Sequence, residues 1–157
     1  MEEIFSIRLG NRQDIQSLAA FNRAMAKETE GIDLAKEIVT AGVAGLFEKP
    51  AYGFYVVAEA SGEVIGCLMV THEWSDWRNG LFWWIQSVYV APAYRRKGVY
   101  KKLYEYVKHA ASRQAICGFR LYVEKENRVA QQTYQALGMR ETGYRVFEAL
   151  RGIEKED

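Results

Sequence analysis

Residues 88–100 read Val-Tyr-Val-Ala-Pro-Ala-Tyr-Arg-Arg-Lys-Gly-Val-Tyr, and the order of elements in this stretch decides the fold. An apolar, strand-like run ends at Pro92, because proline has no N–H group with which to continue a β-ladder. A basic loop containing Gly98 follows and leads into a helical pattern. The start of a helix offers unpaired N–H groups and the positive end of the helix dipole. This order of strand, loop and helix therefore predicts a binding site for an anion such as a diphosphate. For the loop alone, a solvated basic surface is an equally good interpretation.

The composition narrows the classes of function. A chain of 157 residues suits one domain with one core, so we expect a single domain over residues 1–157. The net charge of +1 does not favour a nucleic-acid partner, because phosphate binding normally needs a strongly basic domain. Without a signal peptide or an apolar run of roughly 20 residues, we expect a cytoplasmic protein with no membrane partner. The two cysteines and two histidines show no ligand spacing, so no metal is expected.

Hydrophobic periodicity predicts an α/β protein with a mixed, mostly antiparallel sheet covered by helices. The strand-like segments are residues 4–9, 52–59, 63–73, 81–90, 119–123 and 144–150. The helical segments are residues 12–30, 33–48, 98–114 and 129–137. Gly31 is expected to end the first helix, and Asp33 to cap the second. Short turns join the second, third and fourth strands, which predicts an antiparallel meander.

A second stretch also carries a strand into a helix. Residues 121–139 read Leu-Tyr-Val-Glu-Lys-Glu-Asn-Arg-Val-Ala-Gln-Gln-Thr-Tyr-Gln-Ala-Leu-Gly-Met. Asn127 stands at the start of this helix, where asparagine is a favoured N-cap. Tyr134 lies within the helix, where a core tyrosine on an amphipathic helix is one interpretation.

The two stretches together resemble the acyl-CoA elements of the GNAT superfamily of N-acetyltransferases. The family pattern is a strand, Val-x-Pro, and then Arg/Gln-x-x-Gly-x-Gly/Ala leading into a helix. Residues 90–92 and 95–100 fill this pattern, except that Tyr100 occupies the last small position. The family's second element is Asn-x-x-Ala, then Tyr, then Gly-Phe or Gly-Met. The residues in register with it are Asn127, Ala130, Tyr134, Gly138 and Met139.

The resemblance implies an acyl-CoA N-acyltransferase fold, with the sheet splayed at the CoA site and acetyl-CoA as co-substrate. It implies that the strand backbone at Val88, Tyr89 and Val90 pairs with the pantetheine arm. It also implies that Asn127 contacts the CoA arm, a role compatible with an N-cap. The residues that would hold the diphosphate, mainly through N–H groups, are Arg95, Arg96, Lys97, Gly98, Val99 and Tyr100.

The resemblance further implies that Tyr134 gives a proton to the departing CoA thiolate. A phenol suits this role because its pKa of about 10 keeps it protonated at neutral pH. Many relatives carry a carboxylate near the position of Gln86, and this chain does not. Glu73 is a candidate general base, directly or through a water molecule, although a solvated charge at a strand end is an equal interpretation. A water chain with no single base is a third option.

The prediction of the acceptor site rests on the resemblance and on strand alternation. By resemblance, the junction between the first two helices lines the acceptor pocket. Glu28 and Glu30 would there favour a cationic amine, or they are ordinary helix-end charges. Strand alternation places Trp84 and Gln86 on one face and Trp83 on the other. One face must be core, and the other is expected to line the acceptor site or a dimer contact.

We therefore expect an N-acetyltransferase that moves an acetyl group from acetyl-CoA to a primary amine by direct attack in a ternary complex. The acceptor would be a small cationic amine or a peptide amine, and a homodimer is compatible with the sequence. The alternative is an acyl-CoA-binding sensor without transferase activity. A nucleic-acid-binding domain has only the basic residues 95–97 in its favour.

Overall fold

The computed structural model describes residues 4–152. The chain forms two compact units that divide between Tyr122 and Val123. The organisation as a single domain stays a prediction. The elements of the first unit are β1 (Ser6–Leu9), α1 (Ile15–Glu30), α2 (Lys36–Glu48), β2 (Gly53–Ala60), β3 (Glu63–Ser75), β4 (Gly80–Val90), α3 (Val99–Ala111) and β5 (Ile116–Arg120). The second unit contains α4 (Arg128–Ala136).

The five strands form one sheet in the order β1-β2-β3-β4-β5. The first three pairings are antiparallel and β4 pairs with β5 in parallel, which confirms the mixed, mostly antiparallel α/β fold. The turn between β2 and β3 places Ser61 at φ 51° and Gly62 at φ 78°. Two successive positive φ values match the right-handed twist of a tight hairpin.

Apolar side chains cover both faces of the sheet. On one face, Leu18 of α1 and Val43 of α2 pack into a cluster with Tyr55 and the free thiol of Cys67. Burial raises the pKa of the Cys67 thiol to about 12. On the other face, the rings of Trp83, Phe119 and Tyr104 of α3 contact one another in series.

The ends of the first two helices confirm one prediction and correct another. Gly31 is left-handed at φ 68°, and its N–H group bonds to the Ala26 and Lys27 carbonyls, so it ends α1 as expected. The expected cap at Asp33 is wrong, because α2 begins at Lys36 after Ala35. The Asp33 carboxylate instead lies 3.2 Å from Lys27 Nζ.

The C-terminal strand is a second correction. Residues 144–150 form no strand, and their large side chains at Tyr144, Val146, Phe147 and Leu150 are exposed. Val146 and Phe147 are adjacent, so the apolar pattern does not keep the period of two that places one face against a core. The preceding strand, β5, also begins at Ile116, ahead of the expected residue 119.

A charged network fixes β1 to β2 and to the start of α1. Arg8 donates to both carboxylate oxygens of Asp14, at 2.8 and 3.0 Å, and to Glu59 at 2.7 Å. The Asn11 N–H also donates to Asp14, at 2.8 Å. Asp14 is only 4% exposed. The bonds from Arg8 lower the pKa of Asp14 below its ordinary value, despite the opposing effect of burial.

We expect Asp14→Asn to lower the free energy of unfolding at pH 7 by about 2 kcal/mol, because a buried arginine contact loses its charge partner. The folded-state pKa of Asp14 lies below the unfolded value, so its contribution is complete above about pH 4 and is lost as the pH falls further. Urea unfolding at pH 7 and below pH 4 measures both effects.

The matched control is Asp33→Asn, since the Asp33 side chain is 83% exposed and its ion pair lies at the surface. We expect that change to stay within about 0.5 kcal/mol. Equal losses in the two variants would contradict the structural role of Asp14.

Candidate functional site

Strand β4 pairs with β5 over only part of its length. The parallel ladder ends where Trp84 lies opposite Arg120, whereas β4 continues to Val90. On its other edge β4 stays paired with β3 as far as Gly66, which lies opposite Val90. The edge of β4 beyond Trp84 therefore runs past the end of β5, and strand edges of this kind can pair with an extended ligand.

A bulge lies inside this free part of β4. Tyr89 is opposite Cys67, but Gln86 is opposite Met69, so β4 contains one extra residue between these pairs. Ser87 is left-handed there, at φ 51°. A bulge bends a strand and re-aims its backbone groups. The carbonyl of Ser87 still accepts a hydrogen bond from the Cys67 thiol, at 3.5 Å.

The basic loop after β4 presents the start of α3. Pro92–Tyr94 makes one short 3-10 turn, and Arg96 and Gly98 follow with φ values of 63° and 80°. Gly98 occupies the N-cap position, and no side chain of residues 4–152 caps the helix. A Cβ atom at Gly98 would meet nothing within 4 Å, so space is open beside the loop. The N–H groups of the first turn are the kind of donors that bind anions.

Arg95 ties this loop to the end of α1. Its Nη2 donates to Glu28 Oε2 at 2.8 Å, and its Nε donates to the Val90 carbonyl at 2.9 Å. The Tyr89 hydroxyl donates to Glu28 Oε1 at 3.1 Å, and the Arg95 guanidinium lies 5.3 Å from the Tyr89 ring centroid. Burial, followed by the bond to Glu28, raises the pKa of Tyr89.

This cluster joins residues for which the sequence predicts separate roles. Arg95 and Tyr89 are predicted CoA contacts, whereas Glu28 is a predicted acceptor contact. Glu30 lies exposed at the last residue of α1. Glu73 pairs elsewhere, with Arg120 on β5, where Arg120 Nη1 lies 2.7 Å from Glu73 Oε1. Glu28 and Glu73 are therefore each bonded to a different arginine.

The faces of β4 divide as the alternation predicts. Trp83 and Ile85 are each 2% exposed and belong to the core under α3. Trp84 and Gln86 are half-buried on the opposite face. Gln86 Nε2 donates to Thr71 Oγ1 at 2.6 Å, so its amide is oriented by β3. Whether this face receives an acceptor stays a prediction.

The second unit contains the two remaining predicted residues. Asn127 caps α4, where its Oδ1 accepts from the Ala130 N–H at 3.2 Å. Tyr134 is half-buried on α4, and burial raises the pKa of its phenol. At the end of the helix, the Tyr134 carbonyl accepts a hydrogen bond from the Met139 N–H at 3.0 Å. Gly138, which precedes Met139, has a left-handed φ of 93°. The CoA and catalytic roles of Asn127 and Tyr134 stay predictions.

Sequence analysis missed two residues of this site. Ser87 is a polar residue within an apolar strand, and that interruption is the available signal for a bulge. Arg120 is a charged residue within the predicted strand 119–123, and such a residue normally needs a partner when it is buried. Its partner, Glu73, is distant in the sequence, so only the register of β3, β4 and β5 joins them.

Two properties concern the described part of the chain as a whole. Within residues 4–152, no three His, Cys, Asp or Glu side chains are placed so that they could hold a metal ion. No helix in that range has the length and apolar character needed to cross a membrane.

The geometry defines an α/β protein with a free strand edge that leads through a basic loop into the start of a helix. The family model described as "Acetyltransferase (GNAT) family" matches residues 15–139. This chain therefore belongs to the GNAT acetyltransferase family. Its fold, with the mixed sheet and flanking helices, is the fold that the motifs at residues 88–100 and 121–139 imply.

Solved structures agree with this assignment. A possible acetyltransferase from Clostridium difficile 630 is similar with a TM-score of 0.87 and 44% identity, over 95% of this chain and 99% of that chain. A predicted acetyltransferase from Clostridium acetobutylicum, solved with acetyl-CoA, gives a TM-score of 0.77 and 16% identity, over 93% and 96%. A ribosomal-protein-alanine N-acetyltransferase from Brucella melitensis gives 0.76 and 14%, over 95% and 100%. The last two share the fold alone.

We expect Gly98→Ala to lower the free energy of unfolding by about 1 kcal/mol, because alanine is strained at positive φ. The matched control is Gly42→Ala within α2, where the same added methyl group meets open space and has a helical backbone. That change should stabilise by about 0.5–1 kcal/mol. Urea unfolding of both variants gives the comparison, and a stabilised Gly98→Ala variant would contradict the left-handed loop.

Proposed function

We propose that the protein is an acetyl-CoA-dependent N-acetyltransferase that acts on a primary amine. The observation that carries the proposal is the free edge of β4, which leads directly into the open start of α3. Family membership supports transfer of an acetyl group. The proposal adds to this the identity of the donor, acetyl-CoA, and of the acceptor atom, an amine nitrogen.

The donor set fits an acyl-CoA. An extended pantetheine arm carries amide groups, and the edge of β4 at residues 88–90 offers backbone groups to pair with them. A diphosphate needs N–H donors and positive charge. The first turn of α3 supplies the donors, and Arg96 and Lys97 are exposed beside it. The space beside Gly98 allows close approach to the backbone.

The proposed reaction is a direct transfer in a ternary complex. The amine nitrogen attacks the acetyl carbonyl carbon, so a C–N bond forms and the C–S bond breaks. An N–H group on the free part of β4 polarises the carbonyl oxygen. The nitrogen loses one proton to a base or to water, and the sulfur gains one from Tyr134. Holding both reactants in place is worth several kcal/mol of the barrier.

Tyr134 suits the role of proton donor. Burial raises the pKa of its phenol above the ordinary value of about 10, so the group is protonated throughout the neutral range. The general base has two candidates, Glu73 and a chain of water molecules. Glu73 accepts a hydrogen bond from Arg120, which competes for the oxygen that would take the proton. A chain of water molecules is therefore as good a candidate for the general base as Glu73.

The alternative function is an acyl-CoA sensor that binds without transfer. The bonds from Arg120 to Glu73 and from Gln86 to Thr71 favour it, because the carboxylate considered as the base and the polar side chain at position 86 are already engaged. Release of CoA thiol from acetyl-CoA, measured with a panel of primary amines, separates the two functions. Amine-dependent release supports the transferase, whereas binding without release supports the sensor. Homodimer formation and a cytoplasmic location stay predictions.

We expect Tyr134→Phe to lower kcat by about 100-fold while changing the KM for acetyl-CoA little, because general acid catalysis acts in the transition state. The wild-type rate should fall as the pH rises through the raised pKa of Tyr134, above about pH 10. The Phe variant should lack that limb. Thiol release across the pH range measures both effects.

Tyr144→Phe is the matched control, since Tyr144 lies in the same unit and is 74% exposed. We expect wild-type kinetics from it. Full turnover by Tyr134→Phe with an unchanged pH profile would remove the assigned role.

A further inference from the structure

A second set of contacts lies on the same face of the sheet as Gln86. Glu73 is opposite Phe82, and Trp84 is opposite Arg120, so the strand register brings all four side chains to one face. The Tyr122 ring lies 6.1 Å from that of Trp84. We call these five residues the Arg120 face: Glu73, Phe82, Trp84, Arg120 and Tyr122.

Arg120 is held in a fixed orientation on this face. Its guanidinium carbon lies 3.6 Å from the Phe82 ring centroid, and its Nη1 donates to Glu73 at 2.7 Å. The Arg120 side chain is 27% exposed and that of Glu73 is 42% exposed, so solvent reaches both charges. A guanidinium carries five N–H donors in one plane. The bond to Glu73 uses one edge of this plane and leaves capacity for a second acceptor.

Arg8 shows how the N–H donors of one guanidinium can bind two acceptors. Arg8 bonds to two carboxylates, Asp14 and Glu59. Arg120 has one carboxylate partner among residues 4–152. Arg78 lies on the same ring as Arg120, at 5.2 Å from the Phe82 centroid. Two cations and one carboxylate therefore meet around Phe82, and the local excess of positive charge favours an anionic group.

We propose that the acceptor is an amine that also bears a carboxylate, and that Arg120 binds this carboxylate; this proposal rests on the proposed function. Glu73 is then a positioning residue that holds the guanidinium flat on Phe82. Arginine binds carboxylates through paired N–H donors, which makes it selective for that group. A polyamine would instead meet positive charge at this position.

The register also gives the span of the acceptor. The Arg120 guanidinium lies over Phe82, which precedes the bulge at Ser87 by five residues, or roughly 16 Å along a strand. A carboxylate at Arg120 and an amine near the bulge are therefore separated by several bonds. Trp84 lies between these points and offers an apolar surface to a methylene chain. A chain such as that of 6-aminohexanoate has this character.

The first test compares 6-aminohexanoate with 6-aminohexanamide as acceptors, by thiol release. We expect kcat/KM to be at least about tenfold higher for the carboxylate, the ratio that one charged hydrogen bond supplies. Glycine and glycinamide should differ much less, because glycine is too short to reach both positions. Equal values for the two six-carbon amines would overturn the proposal while leaving the transferase function intact.

The second test uses Arg120→Gln. In this variant, the ratio of kcat/KM for 6-aminohexanoate to kcat/KM for 6-aminohexanamide should fall to about one. The ratio cancels any general effect of the change on Glu73. Arg78→Gln is the matched control, because it removes the more distant arginine from the same ring without removing the hydrogen-bond donors of Arg120, and it should keep most of the ratio. Arg120→Lys keeps the charge without the planar fork and should keep only part of the ratio. A ratio that survives in Arg120→Gln would overturn the proposal.

Direct binding decides the proposal independently of turnover. Calorimetric titration of 6-aminohexanoate into the wild-type protein with CoA present should show binding that Arg120→Gln weakens at least about tenfold. Binding equal in both proteins, or absent from the wild type, would overturn it. If no amine at all supports thiol release, the proposed function fails, and this titration still decides whether Arg120 binds the carboxylate.

Discussion

Strand β4 pairs with β3 over its whole length and with β5 over only its first part, and the candidate site depends on this unequal pairing. Backbone N–H and C=O groups need partners, so a strand that leaves its neighbour must offer its edge to something else. The bulge at Ser87 bends β4 within that part. The same strand then ends at Pro92, and the chain turns directly into α3. Under the proposed function, this edge pairs with an extended chain, and the helix start that follows it binds an anion.

The surroundings of β4 keep this edge in place from both sides. Below it, Trp83 and Ile85 anchor the strand in the core. At its end, Arg95 joins the Val90 carbonyl to Glu28, which also receives the Tyr89 hydroxyl, so the last turn of α1 is tied to the loop. Residues that would contact the donor and a residue expected near the acceptor are thus connected through one carboxylate. On the other part of the face, Arg120 and Glu73 form a separate pair. Two arginine–glutamate contacts therefore lie toward opposite ends of β4.

The sequence predicted the sheet, the meander and the strand–loop–helix order because each depends on local signals: alternation, Gly98 and Pro92. It also predicted that Trp83 and Trp84 face opposite sides, since alternation within a strand is fixed by geometry. It failed at Asp33, where a surface pair with Lys27 replaces the cap, and at residues 144–150, which form no strand. The bonds from Arg95 to Glu28 and from Arg120 to Glu73 were not predictable, because they join residues far apart in the chain. Such contacts depend on strand register, which no local pattern contains.

The measurement that tests the account most directly is a titration of the ¹⁵N-labelled protein with acetyl-CoA, followed by amide NMR. Pairing of a ligand with the free edge of β4 and with the start of α3 predicts the largest shifts at residues 88–90 and 98–101. Smaller shifts are expected in β1 and β2, which lie away from that edge. The absence of shifts, or shifts concentrated elsewhere in the sheet, would contradict the assignment of this strand edge and helix start as the acyl-CoA site.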